Sequence, residues 1–336
     1  MMVRGGLVID MKSLDKICEI GDDFITIEGG VAWSEILEAA VERNLTPPVV
    51  TDWLSVSIGG TVSMGGFGFM SFHRGTQMDH LVELEVVTGT GEKITCSPTV
   101  NSEMFDAVRA THGQFAIITK AKIPLEPAPE SVRMVQAAYG SVTDLLDDIN
   151  RLSKNHEVDL IHGFAAEKTP QSVMTRMNST DSMNLDLQVV ESALNDVEGN
   201  WVYNLEISDL QGHGLKGPRV DLSQLNHLPG CIDVWEISWK EFCFRLPPLI
   251  IEEQLQGAAP HPEITVFVPF NEEGIDLMNA EFDRIHPIED IGGGPVLFFP
   301  LNSKLITAPY LRLPEIERSF FLGLLRRADP PTQDRI

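Results

Sequence analysis

Three glycine-rich turns separated by strand-like runs are concentrated between Thr51 and Pro129, and no other part of the 336-residue chain repeats that arrangement. The stretch opens TDWLSVSIGGTVSMGGFGFMSFHRGTQ, continues VELEVVTGTGEKITCS and closes EMFDAVRATHGQFAIITKAKIPLEPAP. Glycine lets backbone turn sharply or come close to another group, so main chain is expected to approach a ligand here.

The flanking sequence frames this stretch as part of a larger globular chain. A 43% hydrophobic content and 336 residues suffice for two domains, each with its own core. Acidic residues outnumber basic ones 49 to 25, for a net charge of -24, and no cluster of Lys or Arg has nucleic-acid-binding size. Nucleic acid is therefore not an expected partner. Arg4, Asp10, Lys12, Asp15 and Lys16 interrupt any apolar leader, and no apolar run reaches membrane-spanning length. A cytoplasmic protein without a membrane partner is expected, with a monomer as its state. Cys18, Cys96, Cys231 and Cys243 form no CxxC pair and read as buried free thiols. Asn178-Ser179-Thr180 is a sequon of little weight.

Hydrophobic periodicity gives an α+β order. Strands are expected at 7–11, 24–30, 82–88, 93–97 and 115–123, with helices at 33–44 and 102–110. Pro124, Pro127 and Pro129 form the one sharp break, which divides the chain into domains at 1–129 and 130–336. Beyond it a strand is expected at 132–139, then a helix that Ser141 caps. Further strands are expected at 159–164, 185–190, 201–207, 263–269 and 295–300, and helices at 271–285 and 316–326.

Residue by residue, GGTVSMGGFG lacks the third glycine of a dinucleotide fingerprint, because Ser71 stands there, and FMSFHRGTQ supplies no amphipathic helix after it. Backbone N–H groups of a glycine-rich loop can still line a cofactor. His73 reads as a structural histidine rather than a base. His112, next to Gly113, reads equally as a helix cap or a site residue. Asp52, between Thr51 and Trp53, is a candidate base, although a turn-forming aspartate is the plainer reading of the residues alone. GxSxG, HExxH, P-loop and EF-hand signatures are absent.

On the three motifs quoted above, the chain resembles flavoproteins of the vanillyl-alcohol oxidase type, which carry a PCMH-type FAD-binding domain, and within them cytokinin dehydrogenases. Weaker echoes are HPEITVFVP at 261–269 and GGGPVLFFPLNSK at 292–304. The resemblance implies FAD as cofactor, an FAD-binding domain over 1–129 and a substrate domain with a helix-covered antiparallel sheet over 130–336. It implies that Gly59, Gly60, Thr61, Ser63, Gly65, Gly66 and Gly68 line the flavin, with Gly113, Gln114 and Ile118 nearby, and that Asp52 is the catalytic base. The implied small-molecule substrate is an N6-substituted adenine such as a cytokinin. Its side-chain amine is oxidised by hydride transfer to the flavin, and the resulting imine is hydrolysed to adenine and an aldehyde.

The chain also departs from the family pattern. The GxGHS loop expected just before GGLVIDM and the closing PGQ motif are not in the sequence, so both ends read as short, the first FAD subdomain as missing and the flavin as non-covalent. Ala110-Thr111 replaces a Gly-Gly pair, Glu263 stands where tryptophan is expected, and PLNSKLIT lacks an aromatic and an acid. Only Glu252 or Glu253 offers a displaced counterpart of the substrate-domain acid. Two alternatives stay open: a non-catalytic remnant, and a flavin oxidase of a sugar, lactone or alcohol.

Overall fold

The computed structural model describes residues 8–176, 182–212, 215–216, 220–246 and 262–328. Its elements, in chain order, are β1 (Ile17–Ile20), β2 (Phe24–Glu28), α1 (Trp33–Val41), β3 (Leu45–Thr46), α2 (Ile58–Met64), α3 (Ser71–Arg74), β4 (Glu83–Thr88), β5 (Lys93–Cys96), α4 (Ser102–Val108), β6 (Ala116–Pro124), β7 (Glu126–Pro127) and β8 (Ser131–Tyr139). They continue with α5 (Val142–Asn155), β9 (Leu160–Glu167), α6 (Pro170–Met174), α7 (Leu187–Asn195), β10 (Trp201–Gly212), β11 (Leu215–Lys216), β12 (Ile232–Ser238), α8 (Trp239–Cys243), β13 (Ile264–Pro269), α9 (Glu272–Arg284), β14 (Val296–Asn302) and β15 (Arg318–Leu324). The expected α+β class is what forms. The chain groups into two compact units, one holding the chain up to Gly68, Arg74–Ala128 and Ile306–Arg312, the other Phe69–His73, Pro129–Leu305 and the chain from Leu313 onward.

In the first unit an antiparallel sheet runs β1-β2-β6-β4-β5. Alternation along β2 buries Ile25 and Ile27 completely, and α1 buries Trp33, Ile36, Leu37 and Ala40 at helical spacing. Pro124 and Pro127 do not exclude regular structure: Pro124 ends β6, and Glu126–Pro127 pair with Leu45–Thr46 as a two-stranded ribbon. The late segment 306–312 is stitched in by polar contacts. Thr307 donates through its N–H and hydroxyl to Asp79 (2.7 and 2.8 Å), and buried Arg109 reaches the Thr307 hydroxyl at 2.8 Å while pairing with Asp106 at 2.5 Å.

The second unit is built on an antiparallel sheet in the order β12-β8-β10-β9-β14-β15-β13, with β11 paired to β10. Leu145, Leu146, Ile149 and Leu152 of α5 and Met278 and Phe282 of α9 pack on one face, against Val135, Ala137, Ile161, Leu205, Ile207, Phe298 and Phe320. On the opposite face Val173 of α6 and Val190 and Leu194 of α7 cover Ala138 and Val202. Ser141 caps α5 as expected, accepting from the Asp144 N–H. Beneath that helix Asp148 accepts from the Tyr139 hydroxyl (3.0 Å) and the Asn226 N–H (2.7 Å), and it pairs with Arg151 at 3.2 Å.

Several expectations are corrected. Residues 8–11 carry no strand. Residues 185–190 belong largely to α7, because Asp186 caps a helix whose inward side is Val190 and Leu194, while Leu187 and Val189, which mimic strand alternation, are exposed. Residues 318–324 form a strand rather than a helix: β15 is paired on both sides, and a strand buried on both faces reads as a continuous apolar run. Within FMSFHRGTQ only the four-residue α3 forms, while the longer helix α2 forms within the glycines themselves. Cys96, Cys231 and Cys243 are buried, but Cys18 is exposed. The Asn178 sequon, Glu252, Glu253 and the Pro260-His261 pair lie outside the described residues. Among the described residues no helix is long and apolar enough to cross a membrane.

Asp148 is buried and gathers two donors, so removing it strands the Tyr139 hydroxyl and the Asn226 N–H, while Arg151 keeps its pair with Glu157. Asp148→Ala is expected to lower stability by about 3–5 kcal/mol and Tyr139→Phe by about 1–2 kcal/mol. Urea unfolding followed by tryptophan fluorescence measures both, and an Asp148→Ala loss no larger than that of Tyr139→Phe would contradict this account.

Candidate functional site

The glycine segment folds as α2 because Ser57, in extended conformation, accepts the Gly60 N–H (3.3 Å), and because Ile58 and Val62, four residues apart, are both fully buried. Most of its glycines answer to packing. A Cβ on Gly59 would lie 2.7 Å from the Gly29 carbonyl oxygen, and one on Gly68 would lie 2.6 Å from that of Val50. Gly65 ends the helix at φ +113°, and Gly66 follows at φ +63°, both in the region that side chains avoid. The Thr61 hydroxyl is taken up within the protein, accepting the Trp33 indole N–H (2.9 Å) and donating to the Ile58 carbonyl (3.2 Å). The Ser63 hydroxyl donates to the Gly59 carbonyl at 2.7 Å.

Gly60 differs from its neighbours. It is exposed, and a Cβ there would meet only the Ser57 hydroxyl at 3.2 Å. The turn around Gly113 lies beside the same helix, because the N–H groups of Ala110 and His112 donate to the Val62 and Ser63 carbonyls at 3.0 and 2.9 Å. His112 thus caps α2 through its backbone, with an exposed side chain. Gly113 and Gln114 are exposed, and nothing lies within 4 Å of a Cβ placed on Gly113. Ala110, in place of the expected glycine, holds φ +53°, the left-handed conformation glycine would adopt freely. Ile118 is a buried residue of β6, with its side chain in the core. Asp52 is half-buried on the loop leading into α2, and that loop is held by N–H donation from Trp33 to Val56 and from Ser34 to Leu54, both 3.0 Å.

A residue not singled out in the sequence stands at the heart of this segment. Gln77 is 3% exposed, its amide packs against Gly66, and neither its oxygen nor its nitrogen has a hydrogen-bond partner among the described residues. Buried amides are normally satisfied, so an orphaned one fits a bound group with both donors and acceptors on its edge, as a flavin has. Its signal in the sequence was the glutamine ending FHRGTQ.

The second unit carries a polar row that periodicity alone hides. Strand alternation puts Ile161, Leu205 and Ala137 in the helix-covered core, so His162, Glu206 and Gln136 share the other face. Register makes them direct neighbours: Gln136 opposes Glu206, and Glu206 opposes His162. All three are buried. Arg245 pairs with Glu206 at 3.3 Å and lies 3.9 Å over the Phe242 ring. His162 stacks on Phe69, with centroids 4.0 Å apart and planes 17° apart, while burial and then the Arg245 charge push its pKa down to about 3. It is a neutral imidazole. His73, read from the sequence as a structural histidine, is half-buried against Phe72, with ring centroids 4.4 Å apart. A lone histidine inside the apolar run LIHGFAA was the available sign of the row.

Two family models match the chain. A family model described as an FAD binding domain matches residues 1–97, and one described as cytokinin dehydrogenase 1, FAD and cytokinin binding, matches residues 129–335. An uncharacterized oxidoreductase, ORF5 of the fasciation locus of Rhodococcoides fascians, is 31% identical over 342 residues, which cover 99% of this chain and 70% of that protein. Cytokinin dehydrogenase 3 of Oryza sativa subsp. japonica is 31% identical over 350 residues, covering 97% of this chain and 64% of its own. Cytokinin dehydrogenase 5 of Arabidopsis thaliana is 28% identical over 342 residues, covering 97% and 62%. The chain spans less than two thirds of the length of these plant relatives.

Packing glycines and open glycines are separable by experiment. Gly68→Ala is expected to destabilise the protein by about 1–3 kcal/mol with or without FAD, through overpacking against Val50. Gly60→Ala is expected to leave the thermal midpoint of the flavin-free protein unchanged or raised, since alanine favours helix, while FAD titration shows weaker binding. Equal FAD affinity in Gly60→Ala and the parent would remove Gly60 from the site.

The buried imidazole also sets an acid limit. Folded His162 titrates at about 3, against 6.5 for a free histidine, so in that window the unfolded chain binds one more proton. Stability is therefore lost as pH falls below about 6.5, by about 1.4 kcal/mol per pH unit from this group. His162→Phe should lack that contribution. Urea midpoints measured from pH 7 to 4 should show a shallower fall in the variant, and parallel curves would contradict a neutral buried ring.

Proposed function

The chain belongs to the cytokinin dehydrogenase family of FAD- and cytokinin-binding oxidoreductases, and from that premise we propose that it oxidises the side-chain amine of N6-substituted adenines. It has the family's α+β fold, a PCMH-type FAD-binding part and a separate antiparallel-sheet substrate part wrapped by helices. FAD is its cofactor, and when bound supplies the two-electron acceptor that protein side chains lack. Gly60, Gly113 and Gln77 are the residues whose surroundings suit holding it. Asp52 is the proposed base.

The observation that carries this reading is the position of Asp52: a half-buried carboxylate on the anchored loop that runs directly into the glycine helix. A carboxylate there can accept the proton of the substrate's N–H, which raises electron density on the adjacent carbon as its C–H bond breaks with the electron pair. The product is a C=N bond. Water then adds to that carbon and the C–N bond breaks, giving the aldehyde and adenine. Half-burial keeps Asp52 within reach of a substrate while limiting competition from bulk water.

Purified protein should show a flavin absorption band near about 450 nm and should release adenine from isopentenyladenine. Asp52→Asn is expected to keep the band and lose about 10²–10⁴ of turnover. Full turnover in the variant would eliminate Asp52 as the base, and a flavin-loaded protein inert toward isopentenyladenine would eliminate the substrate.

A further inference from the structure

We propose that a cavity on the helix-covered face of the second unit's sheet, around Tyr203 and Asp283, binds a small organic ammonium ion with an apolar body. It lies across the sheet from the His162 row, because Tyr203 and Leu205 share the core face of β10 while Glu206 points the other way. Such a site stands apart from amine oxidation and does not depend on it.

The cavity opens between the start of α5, the turn leading into β10 and the end of α9, and holds about 270 Å³. Pockets that enclose a small molecule usually hold about 300–1,000 Å³, so this one calls for a compact ligand. Its aromatic lining is a corner of three rings, in which Phe282 meets Trp201 and Tyr203 edge to face, each at 5.1 Å between centroids. Tyr203 is 6% exposed, and its hydroxyl has no hydrogen-bond partner among the described residues. Phenylalanine would pack against Phe282 without a polar atom to satisfy, so packing gives no account of that hydroxyl. By contrast, the Trp201 indole N–H is taken up by the Ile285 carbonyl at 2.8 Å, and the Asn279 amide by the Thr143 hydroxyl at 2.9 Å and the Ile275 carbonyl at 3.1 Å. Asp283 also lines the cavity and acts on the Tyr203 hydroxyl: burial and then the Asp283 charge push the phenol pKa up, which keeps a neutral O–H.

Charge selects the ligand. Asp283 and Glu198 both line the cavity, neither carboxylate has an ion pair or hydrogen bond among the described residues, and no Lys or Arg stands in the lining. An anion would meet uncompensated negative charge there. The start of α5 does not reverse this, since Ser141 accepts the Asp144 N–H and Asp144 adds a carboxylate to that first turn. A bare metal ion is disfavoured as well, because no group of three or more His, Cys, Asp or Glu among the described residues could hold one. Two carboxylates, a phenolic oxygen and an aromatic corner match an ammonium group whose N–H bonds face the oxygens and whose carbon framework covers the rings.

The test uses the full chain loaded with FAD, titrated by calorimetry with phenethylammonium, the neutral isostere 2-phenylethanol and the anion 3-phenylpropionate. Phenethylammonium is expected to bind with a Kd of about 1 mM or tighter, and the other two at least about tenfold more weakly. Asp283→Asn is expected to lose about tenfold in affinity and Tyr203→Phe about threefold or more, as charge-assisted and neutral hydrogen bonds respectively would. Asp276→Asn removes an exposed carboxylate of α9 that does not line the cavity, and should bind as the parent does. The flavin band and thermal midpoint report that each variant is folded. No binding of phenethylammonium, equal affinity for the three probes, or unchanged affinity in folded Asp283→Asn overturns the proposal. So does an equal loss in Asp276→Asn, which would mark general attraction of a cation to an acidic chain. Isopentenyladenine turnover is read separately: its absence while phenethylammonium binds removes amine oxidation and leaves this site, and turnover without phenethylammonium binding does the reverse.

Discussion

The second unit depends on β10, a twelve-residue strand whose first ten residues are all buried. Burial on both faces forces two demands on one segment. Trp201, Tyr203, Leu205 and Ile207 must fit the core under α5 and α9, while Asn204, Glu206 and Ser208 on the reverse face must be compensated away from water. Arg245 meets Glu206, Asn204 donates to the Ser172 carbonyl at 3.3 Å, and the Ser208 hydroxyl donates to the Met134 sulfur at 3.2 Å. Each compensation fixes another part of the chain: the residues just after α8, α6 and β8 respectively. A shift of one residue in the β10 register would put the polar side chains under α5 and α9 and take Trp201 out of that core, so these pairs specify the register as much as they stabilise it.

In the first unit the corresponding constraint is backbone proximity. Gly59 must lie against Gly29, and Gly68 against Val50, before α2 can sit on β6 with Ile58 and Val62 buried. The same closeness leaves the carbonyls of Val62 and Ser63 within reach of Ala110 and His112, which carries the Gly113 turn to the helix. Close packing thus assembles from distant sequence a surface of open backbone. Chemistry placed there inherits its precision from contacts that involve no ligand.

The sequence made much of this legible. Strong alternation in FITIE and helical spacing in α5 and α9 predicted elements to within a few residues, and the Ser141 cap followed from residue type alone. The failures have physical causes. The helix in IGGTVSM hides behind two glycines, which disfavour helix intrinsically, and only the Ser57 cap and the Ile58–Val62 spacing signal it. Segment 318–324 reads as helix because burial on both faces erases the alternation that marks a strand. Asp52 was identified as a candidate from its apolar flanks. Gln77 and His162 were passed over because their significance lies in what surrounds them, and an unsatisfied amide or imidazole is a property of three-dimensional packing that no spacing rule encodes.

This distinction changes what the glycine motif means. Gly59, Gly65, Gly66 and Gly68 are required by the fold, through close backbone approach or positive φ, and would be required in a protein that held no flavin. Their presence therefore speaks to architecture. Packing gives no such account of Gly60, where an added Cβ would meet only the Ser57 hydroxyl, of Gln77, whose carboxamide has no hydrogen-bond partner among the described residues, or of His162, whose ring nitrogens likewise have none. Two of these lie in the unit matched by an FAD-binding model, and the third lies within the stretch matched by an FAD- and cytokinin-binding model.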